Sequence, residues 1–131
     1  MKIVISSNSS WNIYNFRLGL IKELINKNHE LYLAVKPDKF AKDLEKLGCN
    51  IIDLNISPRS KSIFSNLKVI NKYFKIFKNI RPDFYLGFTI KPNILGNIAA
   101  FFFNIKVINN VTGLGTTFIK KNYLTCYLNI F

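Results

Sequence analysis

Five short apolar runs constrain this chain more than anything else in it. They are KIVIS (Lys2 to Ser6), ELYLAV (Glu30 to Val35), NIIDL (Asn50 to Leu54), DFYLGF (Asp83 to Phe88) and KVINN (Lys106 to Asn110). No two-residue hairpin signal joins any of them to the next. Between them lie stretches whose apolar residues recur at helical spacing, about Tyr14 to Asn28, Asp38 to Leu47, Lys61 to Ile80 and Pro92 to Phe103. Continuous apolar strands alternating with helices predict a parallel sheet covered on both faces, a doubly wound α/β domain.

Local signals support these boundaries. In the first helix Leu18, Ile21, Leu24 and Ile25 share one face, with Arg17, Lys22, Glu23 and Lys27 outside. Lys36-Pro37 ends the second strand, Gly48 stops the second helix, and Arg81-Pro82 interrupts the long third one. Pro92 occupies a first helical position, where its missing N–H does no harm. The long helix is expected to bury Leu67, Ile70, Phe74 and Phe77, with Val69, Tyr73 and Ile76 widening that face. Lys68, Lys72, Lys75 and Lys78 share its polar side. The final NYLTCYLNIF reads as the beginning of another helix, so residues 1–131 form one domain that ends within a helix.

A hydrophobic fraction of 49% calls for a real core. Cys49, Cys126 and His29 have no metal-ligand spacing, so no metal site is expected. Ile3-Val4-Ile5 is too short for a signal-peptide core, and NIAAFFFNIKVI too short and too polar to span a bilayer. The expected location is the cytoplasm, at most peripheral to a membrane. A net charge of +12, with no acid after Asp83, suggests a polyanionic neighbour: nucleic acid, anionic lipid or a phosphate-rich substrate. Nucleic acid is set aside for want of a recognition motif, because aromatics mixed with lysine on helix faces are usually core.

In an open parallel sheet, ligands bind outside the carboxyl ends of the strands. The loops there are SSNSSWN, VKPD, NISPRS, FTIKPN and NVTGLGTTF. A dinucleotide site needs G-x-G-x-x-G on the first turn and an acid about twenty residues on. The first turn has no glycine, and Gly113 and Gly115 are followed by Phe118 where a third would stand. No G-K-[ST] phosphate loop occurs, so both nucleotide readings fail.

Three pieces, in order and at matching spacing, carry a resemblance: NFRLGLIKELINKNHELYLA, GFTIKPNILGNIAA and VINNVTGLGTTFI. Together the chain resembles the N-terminal lobe of glycosyltransferase family 4 enzymes, nearest to bacterial transferases that extend sugars on undecaprenyl diphosphate. The resemblance implies the Rossmann-like acceptor lobe of a two-lobed GT-B enzyme. A C-terminal donor lobe, in the same product or a separate chain, would bind the nucleotide sugar. That lobe's paired-glutamate motif is absent here, so the lobe is expected to be incomplete and inactive alone. No cofactor is expected in this chain. The implied partner is a lipid-diphosphate-linked sugar; the alternative is a non-catalytic basic module binding anionic membrane or glycolipid.

Each candidate residue has a plain reading beside the functional one. Gly113 and Gly115 would let the backbone approach a sugar or diphosphate, with Thr112 and Thr116 donating hydrogen bonds; alternatively they make an ordinary tight turn. Lys91 and Asn93, flanking Pro92, would meet phosphate at a helix start, or are merely solvated. Asn8 and Ser10 would hold acceptor hydroxyls and Trp11 stack on a sugar, or the turn is a helix cap with Trp11 packed on the core. Arg17 is an anion contact or simply exposed. Lys68, Lys72, Lys75 and Lys78 face anionic lipid or water. His29 is read as structural, at the wrong end of the sheet. Family members often carry a histidine after strand four, where this chain has Phe88-Thr89, so no catalytic residue is assigned.

Overall fold

The computed structural model describes residues 1–55 and 63–111. Five strands, β1 (Lys2–Ser6), β2 (Glu30–Val35), β3 (Asn50–Asp53), β4 (Phe84–Phe88) and β5 (Lys106–Asn110), form a single sheet in the order β3-β2-β1-β4-β5. Every pairing is parallel, with Val4 opposite Tyr32 on one side and Tyr85 on the other. The helices are α1 (Ser10–Asn26), α2 (Ala41–Lys46), α3 (Ile63–Ile80) and α4 (Asn97–Phe102), the last preceded by a π-helical turn, Pro92–Gly96.

Side chains alternate across the strands, so each strand feeds two cores. Ile3 and Ile5 join Leu31, Leu33, Val35 and Phe88 beneath α1 and α2. Val4 joins Tyr85, Val69, Tyr73, Phe77, Ala99 and Ala100 beneath α3 and α4. Running outward from β1 to β3 puts α1 and α2 on one face. The return across β1 to β4 puts α3 on the other, as right-handed crossovers require.

The element boundaries differ from the sequence reading in instructive ways. Helix α1 starts at Ser10 rather than Tyr14, because Ser9 caps it by accepting from the Asn12 amide at 3.3 Å. Asn28 takes φ 57 just past its end, a left-handed conformation that asparagine tolerates in place of glycine. Helix α2 starts at Ala41 because Asp38 is occupied outside it: its carboxylate accepts from the Phe40 and Trp11 amides, tying the β2–α2 loop to the start of α1. On α3 the buried stripe is Val69, Tyr73, Ile76 and Phe77, while Leu67 is 55% exposed and Ile70 and Phe74 are half-buried. The apolar face is rotated from the expected one because the Tyr73 hydroxyl has a buried partner on β1, which draws that side of the helix onto the sheet.

That partner is Ser6. Its Oγ donates to the Ala34 carbonyl at 2.7 Å and lies 2.7 Å from the Tyr73 hydroxyl. The Tyr85 hydroxyl is 3.4 Å from that of Tyr73 and donates to the Pro92 carbonyl at 2.7 Å. Three hydroxyl protons serve three short contacts: Ser6 to Ala34, Tyr73 to Ser6 and Tyr85 to Pro92. The longer Tyr–Tyr contact receives no proton.

Candidate functional site

The strand order reverses between β1 and β4, and the crevice outside their carboxyl ends is where such sheets hold ligands. Three segments meet there: the β1–α1 turn, the helix start at Thr89–Lys91 after β4, where Ile90 and Lys91 are already helical ahead of the expected start at Pro92, and the last residues of β5. Parallel pairing puts all of them on the same rim.

Arg17 lies at the centre of this rim. The second turn of α1 carries it toward β4, where its guanidinium stacks 4.8 Å over the Phe88 ring. Nη1 donates to the Phe16 carbonyl at 2.9 Å and Nη2 to Asn110 Oδ1 at 3.3 Å. Nε is buried and has no hydrogen-bond partner. Among the described residues its charge meets no carboxylate; the ion pairs seen are Lys27–Glu23 and Lys46–Asp43, both on outer helix surfaces. An uncompensated guanidinium with donors to spare is suited to a bidentate anion such as phosphate. A cleft of about 430 Å³ opens here, lined by Asn12, Phe16, Arg17 and Asn110.

Asn93 approaches from the opposite side. Its Nδ2 donates to the Asn110 carbonyl at 3.1 Å, and its amide donates to the Thr89 carbonyl at 3.0 Å. Gly87 on β4 makes room for it: a Cβ there would collide with Asn93 Oδ1 and lie 2.9 Å from Asn109 Oδ1. Thr89 has φ 77, where a β-branched residue is strained, and its Oγ1 is buried without a partner. Strain of this kind collects at binding sites.

The structure brings Arg17 and Asn93 together through Asn110. Lys91 is partly buried directly before Pro92. The Asn93 amide, expected to face a phosphate, is already given to Thr89. Asn8 lies partly buried in the β1–α1 turn with an unpartnered Oδ1. Ser10 is helical and fully buried, so it faces the core rather than an open loop. Trp11 is not packed on the core: it is 47% exposed, edge-on to Phe16 at 5.4 Å. Thr112, Gly113, Gly115 and Thr116 lie outside the described residues. His29 sits between α1 and β2, at the amino edge. Lys68, Lys75 and Lys78 are exposed, whereas Lys72 turns inward and donates to the Leu54 carbonyl at 3.3 Å.

Asn12, Phe16, Thr89 and Asn110 were not singled out from the sequence. Asn110 had a usable signal, as a polar residue ending a strand on the ligand-binding rim. Among the described residues no cluster of His, Cys, Asp and Glu is arranged for a metal, and no helix is long and apolar enough to cross a membrane. A larger hollow, about 570 Å³ and lined by Met1, Asn28, Glu30, Asn79 and Arg81, lies at the amino edge, away from the crevice.

The Glycosyl transferase 4-like family model matches residues 2–130. The chain is 31% identical over 124 residues to the N,N'-diacetylbacillosaminyl-diphospho-undecaprenol alpha-1,3-N-acetylgalactosaminyltransferase of Campylobacter jejuni, covering 94% of this chain and 33% of that one. Its fold is similar to a glycosyltransferase from Rickettsia africae (TM-score 0.68, 15% identity, 94% of this chain and 34% of that one). It is also similar to MurG from Acinetobacter baumannii (TM-score 0.62, 18% identity, 83% and 33%). The chain spans about a third of the length of each.

Proposed function

Because the chain belongs to the glycosyltransferase 4-like family, we propose that it is an acceptor lobe that holds a lipid-diphosphate-linked sugar at its carboxyl rim. The observation that carries this is Arg17, an unpaired guanidinium held in the β1–β4 crevice among amide side chains. It binds the diphosphate. Asn12, Asn93 and Asn110 offer donors and acceptors to sugar hydroxyls, and the exposed Trp11–Phe16 pair gives an apolar surface for a sugar face or the first isoprene unit. A donor lobe, from the same product or a separate chain, supplies the nucleotide sugar. The reaction then takes place at the inner face of the cytoplasmic membrane, where a polyprenyl-linked substrate is anchored.

The test titrates the full chain with a short-chain polyprenyl-diphosphate N-acetylhexosamine. Saturable binding that Arg17→Ala weakens supports the reading. A folded chain that binds no such acceptor, and transfers no sugar when supplied with a donor lobe, overturns it.

A second reading has its own observation. Ile63, Phe64 and Leu67 on α3 and Ile94, Ile98 and Phe101 on the π-turn and α4 are all more than 40% exposed, near the exposed Lys68 and Lys75. Apolar residues beside lysines suit an anionic bilayer, at about 1 kcal/mol per lysine near the surface. Flotation with anionic vesicles, lost in Leu67→Glu/Ile94→Glu and absent with neutral lipid, supports docking; equal flotation with both lipids removes it.

A further inference from the structure

We infer that Tyr85 is a positioning residue for the rim: its buried hydroxyl wedges open the Pro92–Gly96 turn and thereby places Asn93 against Asn110. Its bearing on acceptor binding rests on the reading above, but the positioning itself does not.

In an α-helix the Pro92 carbonyl would accept from the Gly96 amide four residues on. The Tyr85 hydroxyl is aimed at this same pair. It donates to the Pro92 carbonyl at 2.7 Å, and its ring lies so close to Gly96 that a Cβ there would fall inside the phenol. A side chain inserted into the ladder accounts for a single π turn, which is otherwise rare. Tyr85 is completely buried and edge-on to Tyr73 and Phe77, at 5.8 and 5.4 Å between ring centres, so the wedge has no freedom to withdraw.

The opened turn has a polar product. Asn93, one residue after Pro92, reaches the Asn110 carbonyl, and its Oδ1 lies over Gly87 without a partner. Two glycines make the arrangement possible, Gly96 by admitting the tyrosine and Gly87 by admitting the asparagine. Without the hydroxyl, Pro92 and Gly96 regain their α-helical bond. The turn between them then rewinds, with rotations of up to about one residue, roughly 100°, and Asn93 leaves the rim.

The experiment compares Tyr85→Phe with Tyr73→Phe in the full chain. Both remove one buried hydroxyl, but only Tyr85 touches Pro92. The structural readout is solvent exchange of the Asn93 side-chain amide by NMR; the binding readout is affinity for farnesyl diphosphate as a probe. Tyr85→Phe is expected to speed that exchange about fivefold or more, the equivalent of one lost hydrogen bond, and to weaken the probe by a similar factor. Tyr73→Phe should leave both unchanged. If Asn93 exchanges alike in the two variants, Tyr85 does not position it and the inference falls. If Asn93 is released but probe affinity holds, positioning stands and the acceptor reading at this rim is the part that fails.

Discussion

Arg17 Nη2 and Asn110 Oδ1 meet at 3.3 Å although 93 residues separate them in the chain. That contact joins the second turn of α1 to the end of the outermost strand on that side, across the crevice where the sheet changes direction. It is exposed, so it contributes little to stability. Its use is to hold the guanidinium fork open over the rim.

Replacing that fork should therefore affect binding and spare folding. Arg17→Ala is expected to weaken a polyprenyl diphosphate about 10- to 100-fold, the range for a lost hydrogen bond to a charged group. Arg17→Lys keeps the charge without the paired donors and should recover only part of this. Calorimetric titration at two salt concentrations checks it, with the urea midpoint of each variant as the folding control.

Gly96 should not tolerate a methyl group. A Cβ there meets the fully buried Tyr85, which has nowhere to go. Gly96→Ala is expected to cost about 1–3 kcal/mol, the usual range for overpacking. Adding Tyr85→Leu, which withdraws the phenol, should make the pair less destabilised than the sum of the two single changes. Equilibrium urea unfolding of the double-mutant cycle measures this coupling.

The two buried tyrosines predict a loss of stability in base. Burial pushes the Tyr73 hydroxyl up to about 12, opposed by its hydrogen bond to Ser6, and burial raises Tyr85 well above its ordinary value of 10.0. Folded protein keeps these protons while the unfolded chain releases them, so the stabilisation is complete below pH 10 and declines as pH rises toward 12 and beyond. The slope should approach about 1.4 kcal/mol per pH unit for each tyrosine. Unfolding followed across this range should show a shallower slope in Tyr73→Phe than in the parent.

Thr89 carries strain that glycine would relieve. Its φ of 77 costs a β-branched residue about 1–2 kcal/mol. Part of that gain is lost to the freer unfolded chain. Thr89→Gly is expected to raise stability by about 0.5–1 kcal/mol, a few degrees in the thermal midpoint. Scanning calorimetry would show it, and a lower midpoint would mean that the Thr89 side chain supports the turn.

The sheet was legible in the sequence because each strand is a continuous apolar run bounded by Pro, Gly or Asn, and strand boundaries agreed to within about a residue. Helix starts were harder. Ser9 and Asp38 act through side-chain hydrogen bonds that periodicity does not register, so α1 begins earlier and α2 later than apolar spacing suggests. The π turn was invisible for a deeper reason: it depends on Tyr85, which precedes Pro92 by seven residues and reaches it only once the helix has packed onto β4. Of the rim, Arg17 and Asn93 could be nominated from the family likeness. Asn110 as the residue between them requires the strand order, which only the folded sheet supplies.

The strand that begins the chain is also the middle of the sheet, and that fixes when the domain can finish folding. Met1 and Lys2 close on one side with Glu30 and on the other with Asp83, whose carboxylate and amide both bind Lys2. During synthesis β1 and β2 can pair early, but one flank of β1 stays open until the ribosome has delivered Asp83 and β4, 81 residues beyond Lys2. Such distant closure slows folding and leaves the half-made sheet with an unpaired edge to guard.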